Sequence, residues 1–218
     1  MSTFHDVVAL PTDALSEALL ATVFAEESEA LANHSVRSFL FARTAGLHGP
    51  EFELEFVPNH LLFAACLLHD LGLTRRGADT EGTRFEVSGA DYAADILHRH
   101  HVDRFEIRQV WEAITLHTSP HLAERWHPLA RLTRTGIGID FGRSVEAVPE
   151  AAYDEITAAF PRLDIETHLA DAVIGQADTD PDKAPLNSWA DLLRFERHHT
   201  ATTRFESAAV RSASGTGR

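Results

Sequence analysis

A histidine and an aspartate stand side by side at positions 69 and 70, directly after eight apolar residues, Leu61 to Leu68, and just before Gly72. Adjacent side chains on a helix diverge by about 100°. An imidazole and a carboxylate closing a helix can therefore converge on one ion beyond its last turn. A helix C-terminus is also the negative pole, which favours a cation there. Burying such a pair without partners is costly. Two further residues occupy comparable settings: His34 in "LANHSVRSF", and Asp140 in "GIGIDFG", an acid within an otherwise uncharged stretch. His34, His69, Asp70 and Asp140 make a mixed nitrogen–oxygen donor set. It suits Zn, Fe, Mn, Ni or Co better than Mg or Ca.

The elements that must position these residues read as helices almost throughout, so the fold class is all-α. Pro11, Thr12 and Asp13 start a helix that runs to about Phe24. The segment "AEESEALANHSVRSFLFARTAG" has acids early, basic residues late and Gly46 at its end, the polarity and C-cap of a second helix. Residues 47–57 read as a loop with a brief extended piece. A helix over 60–70 follows, stopped by Gly72. The charged, glycine-rich segment after it is a loop of functional length. Ser88, with Asp91 three positions on, matches a capping box and predicts a helix start. Residues 103–118 form an amphipathic helix with Ile107, Val110, Trp111 and Ile114 inward, broken by Pro120. A helix over 126–135 ends at "GIGIDFG". One or two helices lie in 149–175, and a last one spans Ser188 to about Phe205. "GIGID" is no dinucleotide fingerprint, because no strand precedes it and a third glycine is missing. The chain reads as one domain over residues 1–205, with a metal core over about 30–145, C-terminal helices over 149–205, and a disordered polar tail over 206–218.

Composition narrows the function. The chain has 218 residues, a formal net charge of -14 and an apolar fraction of 44%. That is core enough for a globular domain, and the charge disfavours nucleic acid or an anionic membrane as partner. No stretch reaches the ~20 apolar residues of a membrane span, and the acidic N-terminus is not a secretory signal. A cytoplasmic protein acting on a small molecule is expected. Apolar residues on the terminal helices can support a homo-oligomer. The single cysteine, Cys66, lies inside the apolar run and reads as a buried hydrophobe rather than a nucleophile.

The order His34, His69-Asp70, Asp140 resembles the H…HD…D signature of the HD-domain superfamily of helical, metal-dependent hydrolases. Five blocks narrow the resemblance: "LANHSVRSF", "LLFAACLLHDLGLT", "RFEVSGADYAADIL", "VWEAITLHTSP" and "GIGIDFG". Together they are similar to the cyanamide hydratase branch, whose members hydrate a nitrile to urea with water activated by a metal. The resemblance implies an HD-type helical bundle with one metal, zinc first among the candidates, on His34, His69, Asp70 and Asp140. It implies catalytic roles near the metal for His117 and Thr118. A second metal finds no convincing ligands: His98, His100 and His101 sit at a helix end beside Arg99 and Arg104.

Three other residues lie within these blocks. Arg37 lies three positions after His34 on one helix face, where it can pair with a site acid or meet an anionic substrate. Arg84 and Glu86 flank Phe85 and are either a structural pair or part of the site's surroundings. The function expected first is hydration of a small nitrile, cyanamide to urea, by a hydro-lyase. A single buried cysteine argues against cysteine-based routes to the same product. The alternative is a metal-dependent phosphohydrolase acting on a nucleotide or small phosphate ester, which needs positive charge for the phosphate oxygens. Arg37, Arg75, Arg76 and Arg84 are possible suppliers, but no lysine precedes Lys183. A non-enzymatic helical module is a third reading, and the intact donor set counts against it.

Overall fold

The computed structural model describes residues 7–200 and 202–207, and among them are eleven α-helices, several 3-10 turns and no strand. The helices are α1 Ala14–Glu26, α2 Glu29–His48, α3 Asn59–Leu68, α4 Arg75–Ala78, α5 Phe85–Arg99, α6 Arg104–Leu116, α7 Ala123–Trp126, α8 Pro128–Asp140, α9 Glu150–Ala159, α10 Ile165–Thr179 and α11 Trp189–Thr200. Helix α2 is the axis of the fold. It packs on α3, α8, α9 and α10, and nearly every residue from Ala30 to Ala42 is buried, polar ones included. Ser28 starts it, accepting the Leu31 N–H at its hydroxyl.

The larger apolar core gathers α1, α2, α3, α5, α6, α8 and α9, with Phe39, Phe41 and Phe63 fully buried. A smaller core forms where α10 and α11 pack near Phe85 and Leu31, with Phe141, Trp189 and Phe205 at its edge. The cavity described below is bordered by residues of both.

Several expected boundaries move. Helix α2 passes through Gly46 and ends at His48, with the Gly49 N–H donating to the Ala45 carbonyl at 2.9 Å. Residues 50–56 form two 3-10 turns, not an extended piece. Helix α5 starts at Phe85, three residues before the expected Ser88. Ser88 is buried in the first turn, and its hydroxyl donates to the Phe85 carbonyl at 3.3 Å. Helix α8 does not stop before "GIGID" but runs through it to Asp140. The last helix ends at Thr200, and Arg204 to Ser207 make a separate helical turn. Two residues of the expected disordered tail, Glu206 and Ser207, belong to that turn. The rest of that tail, residues 208–218, and the first six residues lie outside the described residues.

Two glycines explain two of these shifts. A Cβ on Gly136 would stand 2.1 Å from the Ser38 carbonyl oxygen, and one on Gly72 would stand 1.9 Å from that of Phe85. Gly136 thus lets α8 press on α2 along its length, and that packing outweighs the low helix propensity of glycine. Gly72 lets the turn after α3 meet the start of α5. Its role is close approach, since α3 has already ended at Leu68. No helix among the described residues is long and apolar enough to cross a membrane.

Candidate metal centre

His34 comes from the second turn of α2. His69 caps α3, and Asp70 follows with φ -101° and ψ 5°. That is the sparsely allowed bridge region of the backbone map, where active-site residues often sit. His117 caps α6 in the same way that His69 caps α3. All four are buried, at 0–4% exposure, and all four border one cavity of about 860 Å³.

The hydrogen bonds decide which nitrogen of each ring is free. The Nδ1–H of His69 donates to the Cys66 carbonyl at 2.7 Å, and that of His117 donates to the Ile114 carbonyl at 2.6 Å. A carbonyl only accepts, so both rings carry their proton on Nδ1. His34 Nδ1 lies 2.6 Å from Asp140 Oδ2. Asp140 is ionised: burial opposes this, but the Arg37 guanidinium and His34 hold its carboxyl well below the usual range. His34 therefore also donates from Nδ1. In its neutral form each ring then turns an Nε2 lone pair inward. His34 Nε2 and His69 Nε2 are 3.2 Å apart, His69 Nε2 is 3.2 Å from Asp70 Oδ2, and His117 Nε2 is 3.8 Å from Asp70 Oδ1.

Lone pairs gathered this closely repel unless a cation lies among them. Asp70 Oδ2 is buried and lacks any hydrogen-bond partner, the signature of a group waiting for an ion or proton. Burial works against charging His69, yet the Asp70 carboxylate raises its pKa above the ordinary value. His117 is pushed down to about 4 by burial and by the nearby His69 charge. His34 is also lowered, by burial. Neutral imidazoles and an ionised aspartate are the forms that bind a metal. His34, His69 and Asp70 fit a divalent transition metal, and their ligand atoms all lie within 4.8 Å of one another. Nδ1 anchors of this kind are the usual support of metal-binding histidines.

The chain belongs to the HD-domain family. The family model matches residues 31–173, from the first turn of α2 into α10, and so takes in His34, His69, Asp70 and Asp140. HD-domain proteins are in general metal-dependent hydrolases, and this chain carries a buried group able to hold their metal. No curated protein matches the chain.

Asp140 departs from the HD expectation that it faces the metal. Arg37 Nε and Nη2 donate to its two oxygens at 2.7 and 2.8 Å, Arg162 Nη1 adds a bond to Oδ1 at 2.8 Å, and His34 takes Oδ2. Its lone pairs are committed, and it stands behind His34 rather than beside the free Nε2 atoms. Arg37 is wholly buried, and its Nη1 also donates to the Phe160 and Pro161 carbonyls. Of its two expected roles it serves as partner of a site acid and cannot meet a substrate.

Thr118 borders the cavity, and its hydroxyl donates to Glu86 Oε1 at 2.6 Å. Glu86 is buried and also accepts from Arg84. Burial would raise its carboxyl, but Arg84, the His117 charge and the Thr118 hydroxyl hold it below its ordinary value. Arg84 and Glu86 are thus a pair that also touches the site through Thr118. His98, His100 and His101 are exposed at the end of α5. His198 is on the surface, 3.1 Å from Asp178.

Sequence reasoning missed several participants. Arg162 leaves only an i, i+4 signal towards Glu166, which does not point to Asp140. Phe141 and Phe85 pack on the His34 and His117 rings, with centroids 4.7 and 5.6 Å away. Glu27 Oε1 is buried without a partner, and burial together with the Asp70 charge pushes that carboxyl well above its usual range. Arg143, on the turn after α8, borders the cavity where it opens to solvent.

Proposed function

We propose that this HD protein hydrates a nitrile group, with cyanamide to urea as the simplest case. The observation that carries the reading is the set of inward Nε2 atoms and the unpartnered Asp70 oxygen, with Thr118 and Glu86 beside them and the three guanidiniums nearest the site acids already paired. Arg37 and Arg162 are bound to Asp140, and Arg84 to Glu86. A phosphoryl substrate needs cations aimed at its oxygens, whereas a neutral nitrile does not.

His34, His69 and Asp70 would hold the metal, with His117 bordering it. When bound, a divalent metal supplies a Lewis acid that makes water nucleophilic near neutral pH. The chain's residues do the rest. Phe85 and Phe141 exclude bulk water from the imidazoles they cover. The water oxygen bonds to the nitrile carbon, and one C≡N electron pair passes to nitrogen. Both protons that nitrogen gains come from the water. Neither His117 Nδ1–H nor the Thr118 hydroxyl proton points at the substrate, because each is already donated. Thr118 can still accept a water proton at a lone pair while passing its own to Glu86, and the reverse transfer delivers it to nitrogen. Thr118 and Glu86 act here as a relay.

The second reading is hydrolysis of a phosphate ester. It is favoured by Arg143, whose side chain forms no hydrogen bond or ion pair with another described residue and borders the same cavity. One experiment separates the two. Metal-loaded protein and its His69→Ala variant are assayed for urea from cyanamide and for phosphate from a nucleotide and phosphate-ester panel. Urea from the wild type alone supports hydration at this centre. Phosphate release with no urea overturns it in favour of the second reading.

A further inference from the structure

The four buried site residues occupy only the floor of the cavity. At about 860 Å³ it lies in the range of roughly 300–1,000 Å³ that encloses most of a drug-sized ligand. Cyanamide would leave nearly all of it empty. The remaining wall is mostly apolar and carries an ordered aromatic series. Phe141 packs on the His34 ring, Phe205 meets Phe141 edge-on with centroids 4.8 Å apart, and Trp189 meets Phe205 at 5.4 Å and 88°. This aromatic series runs without a break from a metal-binding imidazole to α11. Leu169 and Leu193, both buried, complete the wall. At the mouth the apolar character continues onto the surface: Leu186 is 86% exposed, Phe195 60% and Leu192 42%, and all three border the cavity. Large side chains left in water around an opening mark a surface built to be covered.

Several charged groups of this outer wall are already paired. Glu166 is paired with Arg162 and Glu196 with Arg204. Most of the wall, residues 186–205, also lies beyond the segment matched by the family, which ends at residue 173. The metal floor therefore lies within the matched segment, and most of the outer wall lies outside it.

We infer that the substrate carries its reacting group on an aryl or aralkyl body, which seats between α10 and α11 against Phe141, Trp189 and Phe205. The inference rests on the nitrile reading for the reacting group alone, so the substrate class is an organic aryl or aralkyl nitrile. Aromatic side chains arranged edge-to-face favour an aromatic guest, which can join the series in the same geometry.

Trp189 reports occupancy directly. Metal-loaded protein is titrated with acetonitrile, benzonitrile, phenylacetonitrile and 3-phenylpropionitrile while tryptophan emission is followed, with Trp189→Phe as the control that removes the response. The aryl nitriles should bind at least tenfold more tightly than acetonitrile. Affinity should rise about fourfold for each methylene added, since a buried methylene is worth ~0.8 kcal/mol. Phe205→Ala should weaken the aryl ligands about tenfold. Leu186→Asp, at the exposed rim where folding is not at stake, should weaken them about threefold. Aryl nitriles that bind no better than acetonitrile, in protein that releases urea from cyanamide, would overturn the inference and leave the nitrile reading standing. Aryl nitriles that bind as expected but are never hydrated would support the apolar seat and overturn the nitrile reading.

Discussion

Helix α8 finishes in a buried aspartate and another follows the C-cap of α3; both lie beside His34, and the two carboxylates do opposite things. Asp140 has its oxygens filled by Arg37, Arg162 and His34. Asp70 has one oxygen with no donor at all. Both stay ionised in spite of burial, but for different reasons: Arg37 first for Asp140, His69 first for Asp70. A carboxylate matched by a fixed guanidinium is part of the scaffold. One facing only imidazole lone pairs is an open ligand. The difference comes from what the fold places opposite each acid, not from the acid or from its position on its helix.

The largest expected effect tests the open side. Asp70→Ala should abolish metal retention, measured as metal content after dialysis. The loss should exceed the about 10- to 100-fold typical of residues that only support a ligand. The filled side breaks differently. Arg37→Leu leaves Asp140 charged and short of its main partner, and should destabilise the protein by about 3–5 kcal/mol in chemical denaturation. Asp70→Asn in metal-stripped protein should cost less stability than Arg37→Leu, because Asp70 loses only its 3.2 Å pairing with His69, whereas Asp140 loses a two-bonded guanidinium. Equal losses at the two positions would erase the contrast.

Asp140→Asn sharpens it further. The variant keeps the ligands but weakens the anchor of His34, so metal affinity should fall about 10- to 100-fold without being abolished. Complete loss of metal would mean that Asp140 turns to face the ion after all.

A further effect is read from pH in metal-stripped protein. His117 titrates at about 4 in the fold against an ordinary 6.5, so between those values the unfolded chain holds the extra proton. Stability from this group is complete above about pH 6.5 and is lost as pH falls toward 4, by up to about 3 kcal/mol. His117→Asn should flatten that part of the melting profile. Asp140 acts in a lower window. Its contribution is present above about pH 4 and is lost only below it, as pH falls toward its depressed folded value. A profile with a single acid transition in both proteins would contradict the assignment.

How much of this could be read from residue order varies with the distance over which each contact acts. Helices α1, α3 and α6 follow their local signals, down to Asp13 and Asp103 as N-caps. The misplaced boundaries at Gly46, Ser88 and "GIGID" share a misleading signal. Glycine and serine normally end or begin helices; here the glycines serve close packing between elements distant in sequence, and Ser88 bonds back within its own first turn. The proximity of His34, His69 and Asp70 was legible because each lies at a helix position with few other uses for its type. The roles of Arg37 and Arg162 were not, because each reaches an acid on another element.

The sequence by itself determined the all-helical class, the apolar run that carries His69 and Asp70 into the interior, and the choice of His34, His69 and Asp70 as residues able to share an ion. Those properties follow from periodicity, capping and side-chain chemistry, which act over a few residues. Only the tertiary structure decided that Asp140 supports His34, which ring nitrogens face inward, and that α11 raises an aromatic wall above the floor of the site. Each depends on atoms brought within a few ångströms from positions far apart in the chain, and hydrogen bonds and close packing act only at that range.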